Sequence, residues 1–410
     1  MTRDSPAVPL ASLSARLPAG PLRALAAFSL LACGSARPPL AGAAPALSVD
    51  LAPVASTARP EVATADGAGD PLASPEAPTN VVLVTLDGVR WQEVLDGVDP
   101  TLGRWAHLPA SQRVDARRLF PHAYERLVDA GTLLGPDAIA VSGPAYVSLA
   151  GYLELLRGHA APGCASNECS FPAEPSLAEQ VRAMPGVGAD DVAVFASWDR
   201  IAPVASATKD AFLVSAGRSF AGRARAAESD AELTRAIDLG ASATAMPGHG
   251  GYRPDRHTAR IALAWLRTHR PRFLWVALGD PDEWAHRGSY ADYLGSLGAA
   301  DAFLGELFAT LDAMGDHGRA TAVVVTTDHG RGASWTRHGN DPASGPVWLM
   351  ASGAGLPARG RVHPAEGYHL ADVAPTLRGW LGVASSDPRH AALPLGAATN
   401  AARPLALVGP

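Results

Sequence analysis

Lysine is all but missing from this chain: Lys209 is the only one, and the remaining 33 of the 34 basic residues are arginine. Any mechanism that needs two lysines is thereby excluded. No basic stripe stands out, and the formal charge of −6 speaks against nucleic acid as the main partner. Cysteine is scarce too, with three in 410 residues. No uninterrupted apolar run reaches the roughly 20 residues that span a bilayer, so nothing is expected to cross a membrane in the mature protein. What the chain does have is 47 % hydrophobic content, enough for a large core.

Arg16 and Arg23 precede an almost wholly apolar stretch from Ala24 to Ala32, and Cys33-Gly34-Ser35 comes next. Residues 1–33 thus read as an export signal. Leu30-Leu31-Ala32-Cys33 resembles a bacterial lipobox, in which the cysteine would carry a lipid anchor; the alternative is an ordinary signal peptide cleaved before Leu47. Either reading sends the protein to the periplasm, or to the outer membrane as an attached lipoprotein. Residues 34–79 are rich in Ala, Pro, Ser and Gly without hydrophobic period and are expected to be a tether. The folded domain is placed at 80–386, with a tail at 387–410. Cys164 and Cys169 frame a short loop, and in an exported protein that spacing suggests a local disulfide. Such a ring would remove roughly 2–3 kcal/mol of chain entropy from the unfolded state. Two cysteines alone do not fill a tetrahedral metal shell.

Chemistry is expected around Thr321-Ala-Val-Val-Val-Thr-Thr-Asp328-His329-Gly330, a β-branched run too short for a helix that stops on two metal-ligand side chains. A second Asp-His-Gly, at Asp316-His317-Gly318, precedes that strand and belongs on the opposite edge of the sheet. Val81–Leu86 repeats the pattern and ends on Asp87-Gly88. Phe273–Leu278 is followed by Asp280-Pro-Asp282-Glu-Trp-Ala-His286, and His338-Gly-Asn340 lies before a further strand at Val347–Ala351. Val192–Ser197 is another candidate strand, and Ser176–Met184, Asp255–His269, Ala291–Met314 and His369–Leu381 read as helices. This alternation predicts an α/β fold, a mainly parallel central sheet with helices on both faces. Ligands then gather beyond the carboxyl ends of the strands. Singly, each Asp or His has a plainer explanation as a cap, a turn residue or a surface imidazole.

Ser142, ahead of a helical run with Pro144 near its first turn, is either a helix N-cap or a nucleophile at a helix end that attracts anions. Ser148, six residues on, is expected to point elsewhere. Asp87, Ser142, Asp282-x-x-x-His286, Asp328-His329-Gly330 and His338 together resemble the two-metal site of the alkaline phosphatase superfamily, from about Asn80 to Val383. Ala371-Asp-Val-Ala-Pro-Thr376 also looks like a helix these proteins carry near the end of the domain. The resemblance implies two divalent ions, zinc or else manganese. Asp282, His286 and His338 would hold one; Asp87, Asp328 and His329, with Ser142, would hold the other. It also implies a small phosphate ester as substrate and a phosphoserine intermediate.

Departures from the family's patterns bear on subclass. Sulfatases of the superfamily need Cys or Ser followed by x-Pro-x-Arg, and Ser142-Gly-Pro-Ala-Tyr146 has tyrosine in place of that arginine. Nucleotide pyrophosphatase/phosphodiesterases carry x-Pro-Asn-His after the nucleophile, and Ala145 and Tyr146 stand there. The related mutases carry an inserted cap domain for which the span from Ser142 to Phe273 is cramped. The expectation is an exported phosphoric ester hydrolase with monoesters preferred over diesters; phosphotransfer or mutase chemistry is an alternative, and a sulfatase or a non-catalytic metal-binding lipoprotein comes lower. Arg200, after the strand at Val192–Ser197, either reaches the phosphate or is a solvated loop residue. Asn340 is a further candidate donor, and Gly248–Gly251 with His249, and the loop from Ser215 to Glu228, are candidate walls of the substrate pocket.

Overall fold

A computed structural model of the chain describes residues 77–208, 210–218, 230–332, 334–384 and 392–396. The export signal, Cys33, the tether up to residue 76, Lys209, residues 219–229 and most of the tail lie outside the described residues.

Ten strands are present among the described residues: β1 (Asn80–Leu86), β2 (Gly131–Leu134), β3 (Ile139–Ala140), β4 (Val192–Ala196), β5 (Leu213–Ala216), β6 (Phe273–Leu278), β7 (Thr321–Thr326), β8 (Leu349–Gly353), β9 (Gly360–Val362) and β10 (Tyr368–His369). Eight form one sheet in the order β5-β4-β6-β1-β7-β8-β2-β9, and β10 pairs with β3. From β5 to β7 every pairing is parallel; β8 runs antiparallel to both β7 and β2. The sheet is therefore mainly parallel, with helices on both faces.

Along β1, Val82, Val84 and Leu86 point into one apolar layer while Val81 and Leu83 point into the other. Both faces are covered, which is why the strand reads as an unbroken apolar run rather than an alternating one. Six helices support the site: α1 (Ser148–Arg157), α2 (Leu177–Arg182), α3 (Asp255–His269), α4 (Asp280–His286), α5 (Tyr290–Ala313) and α6 (Val373–Leu381). Residues of α3 and α5 fill the first layer, and those of α1, α2 and α6 the second. At 24 residues, α5 is long and apolar enough by length and composition to cross a membrane, although Asp292, Asp301, Glu306 and Asp312 interrupt its apolar run. Its Tyr293, Leu297, Leu304, Leu307 and Leu311 are buried in the core, the behaviour of an interior helix.

Two local readings need correction. The helix expected just after Ser142 begins only at Ser148. Residues before it are held extended by a long-range pairing in which the Tyr146 and Gly339 backbones exchange hydrogen bonds of 2.7 and 3.0 Å, which overrides the local Pro144 signal. The short strands β2 and β5 were not foreseen.

Candidate metal centre

β1 is flanked by β6 and β7, so three adjacent parallel strands end side by side, and each hands over metal-ligating groups. Asp87 lies just past β1, and its N–H continues the ladder by donating to the Leu278 carbonyl at 2.9 Å. Asp328 and His329 lie just past β7. After β6 the chain turns directly into α4, which places Asp282 and His286 four residues apart on one helix face. His338 comes from the loop tied to Tyr146. The Asp316-His317 copy lies at the other edge, where His317 Nδ1 meets Asn80 Nδ2 at 3.4 Å at the start of β1.

These side chains form two sets. Asp282, His286 and His338 make one and Asp87, Asp328 and His329 the other, with the ligand atoms of each within 4.8 Å of one another. In the first, His286 Nε2 lies 3.1 Å from Asp282 Oδ2 and 3.0 Å from His338 Nε2. In the second, His329 Nε2 is 3.4 Å from Asp328 Oδ2 and 3.6 Å from Asp87 Oδ1. The sets adjoin, because the His329 and His338 rings stack with centroids 3.9 Å apart.

Partners outside each set fix which atoms face inward. His329 Nδ1 is 2.8 Å from the Gly330 carbonyl and His338 Nδ1 is 2.8 Å from that of Tyr146. A carbonyl only accepts, so Nδ1 carries the proton in both rings and each Nε2 offers a lone pair. Tyr152 donates to Asp87 Oδ2 at 3.1 Å, and the Gly88 N–H donates to Asp328 Oδ1 at 3.0 Å. Arg331, fully buried, pairs with the Asp282 carboxylate and donates to the carbonyls of Gly88 (3.1 Å), Trp335 (3.3 Å) and Asp282 (3.1 Å). It thus ties the turn bearing Asp87 to the helix bearing Asp282.

The residues fit divalent cations. Asp328 Oδ2 is buried with no hydrogen-bond partner, an arrangement that is costly unless something positive lies beside it. Burial pushes Asp328 up to about 7, with Asp282 pushing the same way. Burial likewise raises Asp87 well above the usual carboxylate range, and the charges of Asp328 and Asp282 add to it. Burial lowers His329 to about 4 and His338 to about 3, so both imidazoles are neutral at physiological pH, the form that ligates. Asp282 is held well below the ordinary range; burial opposes this, and the Arg331 charge outweighs it. Asp and neutral His are the donors that zinc and similar ions take.

The serine at this centre is Ser148, not Ser142. Ser148 Oγ stands 3.2 Å from His329 Nε2 and 3.4 Å from Asp87 Oδ1 at the first residue of α1. Ser142 is exposed and faces away; its hydroxyl donates to Glu154 at 2.7 Å, and its backbone N–H donates to the same carboxylate. Two glycines let the elements close on each other. At Gly151 a Cβ would lie 2.1 Å from the Asp328 carbonyl oxygen, so only glycine lets α1 rest on the β7 turn. At Gly88, with φ +60°, a Cβ would lie 2.3 Å from Asp282 Oδ1.

A cavity of about 600 Å³ opens over the centre, lined by Asp87, Ser148, Asn167, Trp198, Arg200 and His286 among others. His249, Gly250 and Gly251 contribute to its wall as expected. Arg200 lies on it, with Nη2 donating to the Asn167 carbonyl at 2.7 Å. Asn340 is exposed and absent from the cavity lining, so that candidate does not reach the centre. Asn167 was missed in the sequence. It sits inside the loop closed by the Cys164–Cys169 disulfide, and its Oδ1 accepts from the Leu149 N–H at 3.0 Å. Because that partner is a donor, the atom facing it must be the carboxamide oxygen, which leaves the NH₂ for an anion in the cavity. Arg331 was missed as well.

Comparison with known proteins agrees with this architecture. The model for the Metalloenzyme superfamily matches residues 241–384, the stretch that carries five of the six ligands. Among solved structures, a proposed sulfatase from Bacteroides thetaiotaomicron superposes with TM-score 0.54 at 13 % identity, covering 78 % of this chain and 74 % of that one. Wild-type alkaline phosphatase PafA gives 0.51 at 11 %, covering 76 % and 97 %, and a 2-O GAG sulfatase gives 0.50 at 14 %, covering 78 % and 73 %. No curated protein matches in sequence. Residues 241–384 are thus similar to the Metalloenzyme superfamily, and the fold is one shared by alkaline phosphatases and sulfatases.

Proposed function

We propose that this chain is a metal-dependent hydrolase of phosphoric monoesters that works through a phosphoserine at Ser148. The observation that carries the reading is the place of Ser148 Oγ, at the start of α1 and within 3.4 Å of two ligands of the buried set. Two divalent ions, zinc by donor type, would be held by Asp282, His286 and His338 and by Asp87, Asp328 and His329, and would supply electrophilic charge to the phosphoryl oxygens and acidify a hydroxyl.

The residues themselves do the rest. The α1 N-terminus and the Asn167 carboxamide favour an anion beside Ser148. Arg200, on the same wall, adds positive charge near the ester. Ser148 Oγ forms a bond to phosphorus as the bond to the leaving oxygen breaks, and the departing alcohol takes up a proton. Water then cleaves the phosphoserine, releasing inorganic phosphate and restoring the hydroxyl. The net change is ester plus water to alcohol plus phosphate.

Phosphoryl rather than sulfuryl transfer is favoured by the residues on the carboxyl side of the nucleophile. Ser148-Leu149-Ala150-Gly151-Tyr152 has neither the proline nor the arginine that the superfamily's sulfatases need to convert this residue. The mixture of Asp199, Glu168 and Glu283 with Arg200 and Arg287 around the cavity leaves room for a diester, the second reading. Turnover of nitrophenyl phosphate, bis-nitrophenyl phosphate and nitrophenyl sulfate by the metal-loaded protein separates these readings. The monoester is expected to be fastest and the sulfate inert; a preference for the sulfate would overturn the proposal.

An exported location belongs to the same reading. It is supported by the arginines and apolar stretch before Cys33 and by the disulfide, which persists in oxidising compartments. Incorporation of labelled palmitate that Cys33→Ala abolishes would establish the anchor; soluble periplasmic protein without label would leave a cleaved signal peptide.

A further inference from the structure

The loop that bears Asn167 has no regular secondary structure, yet it reaches the site at two points. The Asn167 side chain takes the Leu149 N–H in the first turn of α1, and its backbone carbonyl takes Arg200 Nη2. Arg200 is itself confined by this segment: its guanidinium lies 5.3 Å over the Phe171 ring and 3.8 Å from Glu168. Within the ring, local support is thin, consisting of the Cys169 N–H to the Ser166 carbonyl at 3.2 Å and the Glu168 N–H to Ser166 Oγ at 3.3 Å. The ring is anchored to the domain chiefly by Cys164, which is 3 % exposed in the apolar layer beneath α1, with the partly buried Cys169 packed against the same layer. Cys169, across the disulfide at a Cα separation of 5.1 Å, closes the loop.

We propose that the Cys164–Cys169 disulfide is a positioning element for anion binding: it holds Asn167 between α1 and Arg200, so that an open ring weakens capture of the anionic group while leaving both metal sets loaded. The separation comes from topology. All six metal ligands come from the ends of β1, β6 and β7 or from the His338 loop, and none lies in the ring. Asn167 is instead bound to the rest of the site through single hydrogen bonds, which an untethered loop exchanges for water. The choice of phosphate as the anion rests on the proposed function; the coupling between ring and helix does not.

The test compares wild type, the double variant Cys164→Ala/Cys169→Ala, and Asn167→Ala with the disulfide intact. Metal content, inorganic phosphate binding by calorimetry, KM for a phosphate monoester, and hydrogen exchange at the Leu149 amide are measured on each. The double variant is expected to keep its metals, to weaken phosphate binding and raise KM roughly tenfold, the scale of one or two lost hydrogen bonds, and to exchange the Leu149 amide faster. Asn167→Ala should reproduce both effects without opening the ring, which guards against a general folding defect in the double variant. Unchanged Leu149 exchange and unchanged phosphate affinity in the double variant would overturn the proposal, as would loss of metal with normal affinity in the loaded fraction. If wild type binds no phosphate at all, the proposed function fails, and Leu149 exchange alone still decides the role of the ring.

Discussion

Asp328 and His329 have no exposed surface, and Asp87 has almost none, whereas the His286 side chain in the neighbouring set is 43 % exposed. The two ligand sets also differ in what balances their charge. Asp282 has Arg331 against it and stays ionised in the protein alone. Asp87 and Asp328 have no cationic side chain bonded to them; burial raises both, and Asp328 Oδ2 is left without a hydrogen bond. One half is a partly solvated site whose carboxylate is prepared by an arginine. The other is a dry site whose carboxylates wait for a cation. Ser148 stands with the dry half, where an ion's charge is least screened and most able to acidify a hydroxyl.

The largest effect that sharpens this contrast is expected from Asp328→Ala. It should remove the ion of the buried set and lower turnover by at least ~10³-fold, with no rescue by excess metal. His286→Ala, at the exposed set, should lose activity that added zinc partly restores; metal titration of the two variants checks the difference. Equal rescue of both would break it.

Next in size is Arg331→Met. Removing one partner of a buried ion pair leaves Asp282 uncompensated, which costs about 3–5 kcal/mol, so denaturant unfolding of the metal-free protein should show a large loss. Metal loading should restore part of it, since an ion replaces the missing positive charge beside Asp282.

The pH dependence of the metal-free protein should show the dry half directly. A carboxyl raised to about 7 in the folded state binds its proton more tightly than in the unfolded chain, so its contribution favours folding at low pH and is lost as pH rises through 7. His329 and His338, lowered to about 4 and about 3, act in the opposite sense, but only below the ordinary histidine range near 6.5. Once both imidazoles are neutral in either state, above about 6.5, stability should therefore fall with rising pH until Asp328 is fully ionised, a little above 7. Asp280, raised to about 6 by burial, loses its contribution at lower pH, between the ordinary carboxylate range and about 6. Asp328→Asn should flatten the fall near pH 7, and metal loading should abolish it; urea midpoints across this range are the measurement.

Ser142→Ala should have the smallest effect on chemistry, within about twofold in kcat, because its hydroxyl serves only Glu154. It should lower stability by about 1 kcal/mol, the usual net value of one such bond.

Much of this centre was legible in the sequence for a physical reason. Strands buried on both faces are unbroken apolar runs, and in a parallel sheet their carboxyl ends are where polar ligands collect, so Asp87, Asp282, Asp328 and His329 could be read off directly. Ser148 could not. Its helix lacks a capping side chain, Val147 precedes it, and what delays the helix start is a pairing of Tyr146 with Gly339, nearly two hundred residues away. Arg331 and Asn167 escaped for a related reason: the partners of one are the Asp282 carboxylate and backbone carbonyls on two distant segments and its own loop, and those of the other are an amide and an arginine from separate elements. The short strands β2 and β5 carry too few residues to show a period.

The most direct test of the central claim is to quench the metal-loaded protein in acid during turnover of a ³²P-labelled monoester and to map the labelled peptide. Covalent phosphate on Ser148, in a protein holding two metal ions, is the predicted result. Label on Ser142, or steady turnover with no label on any serine, would contradict it.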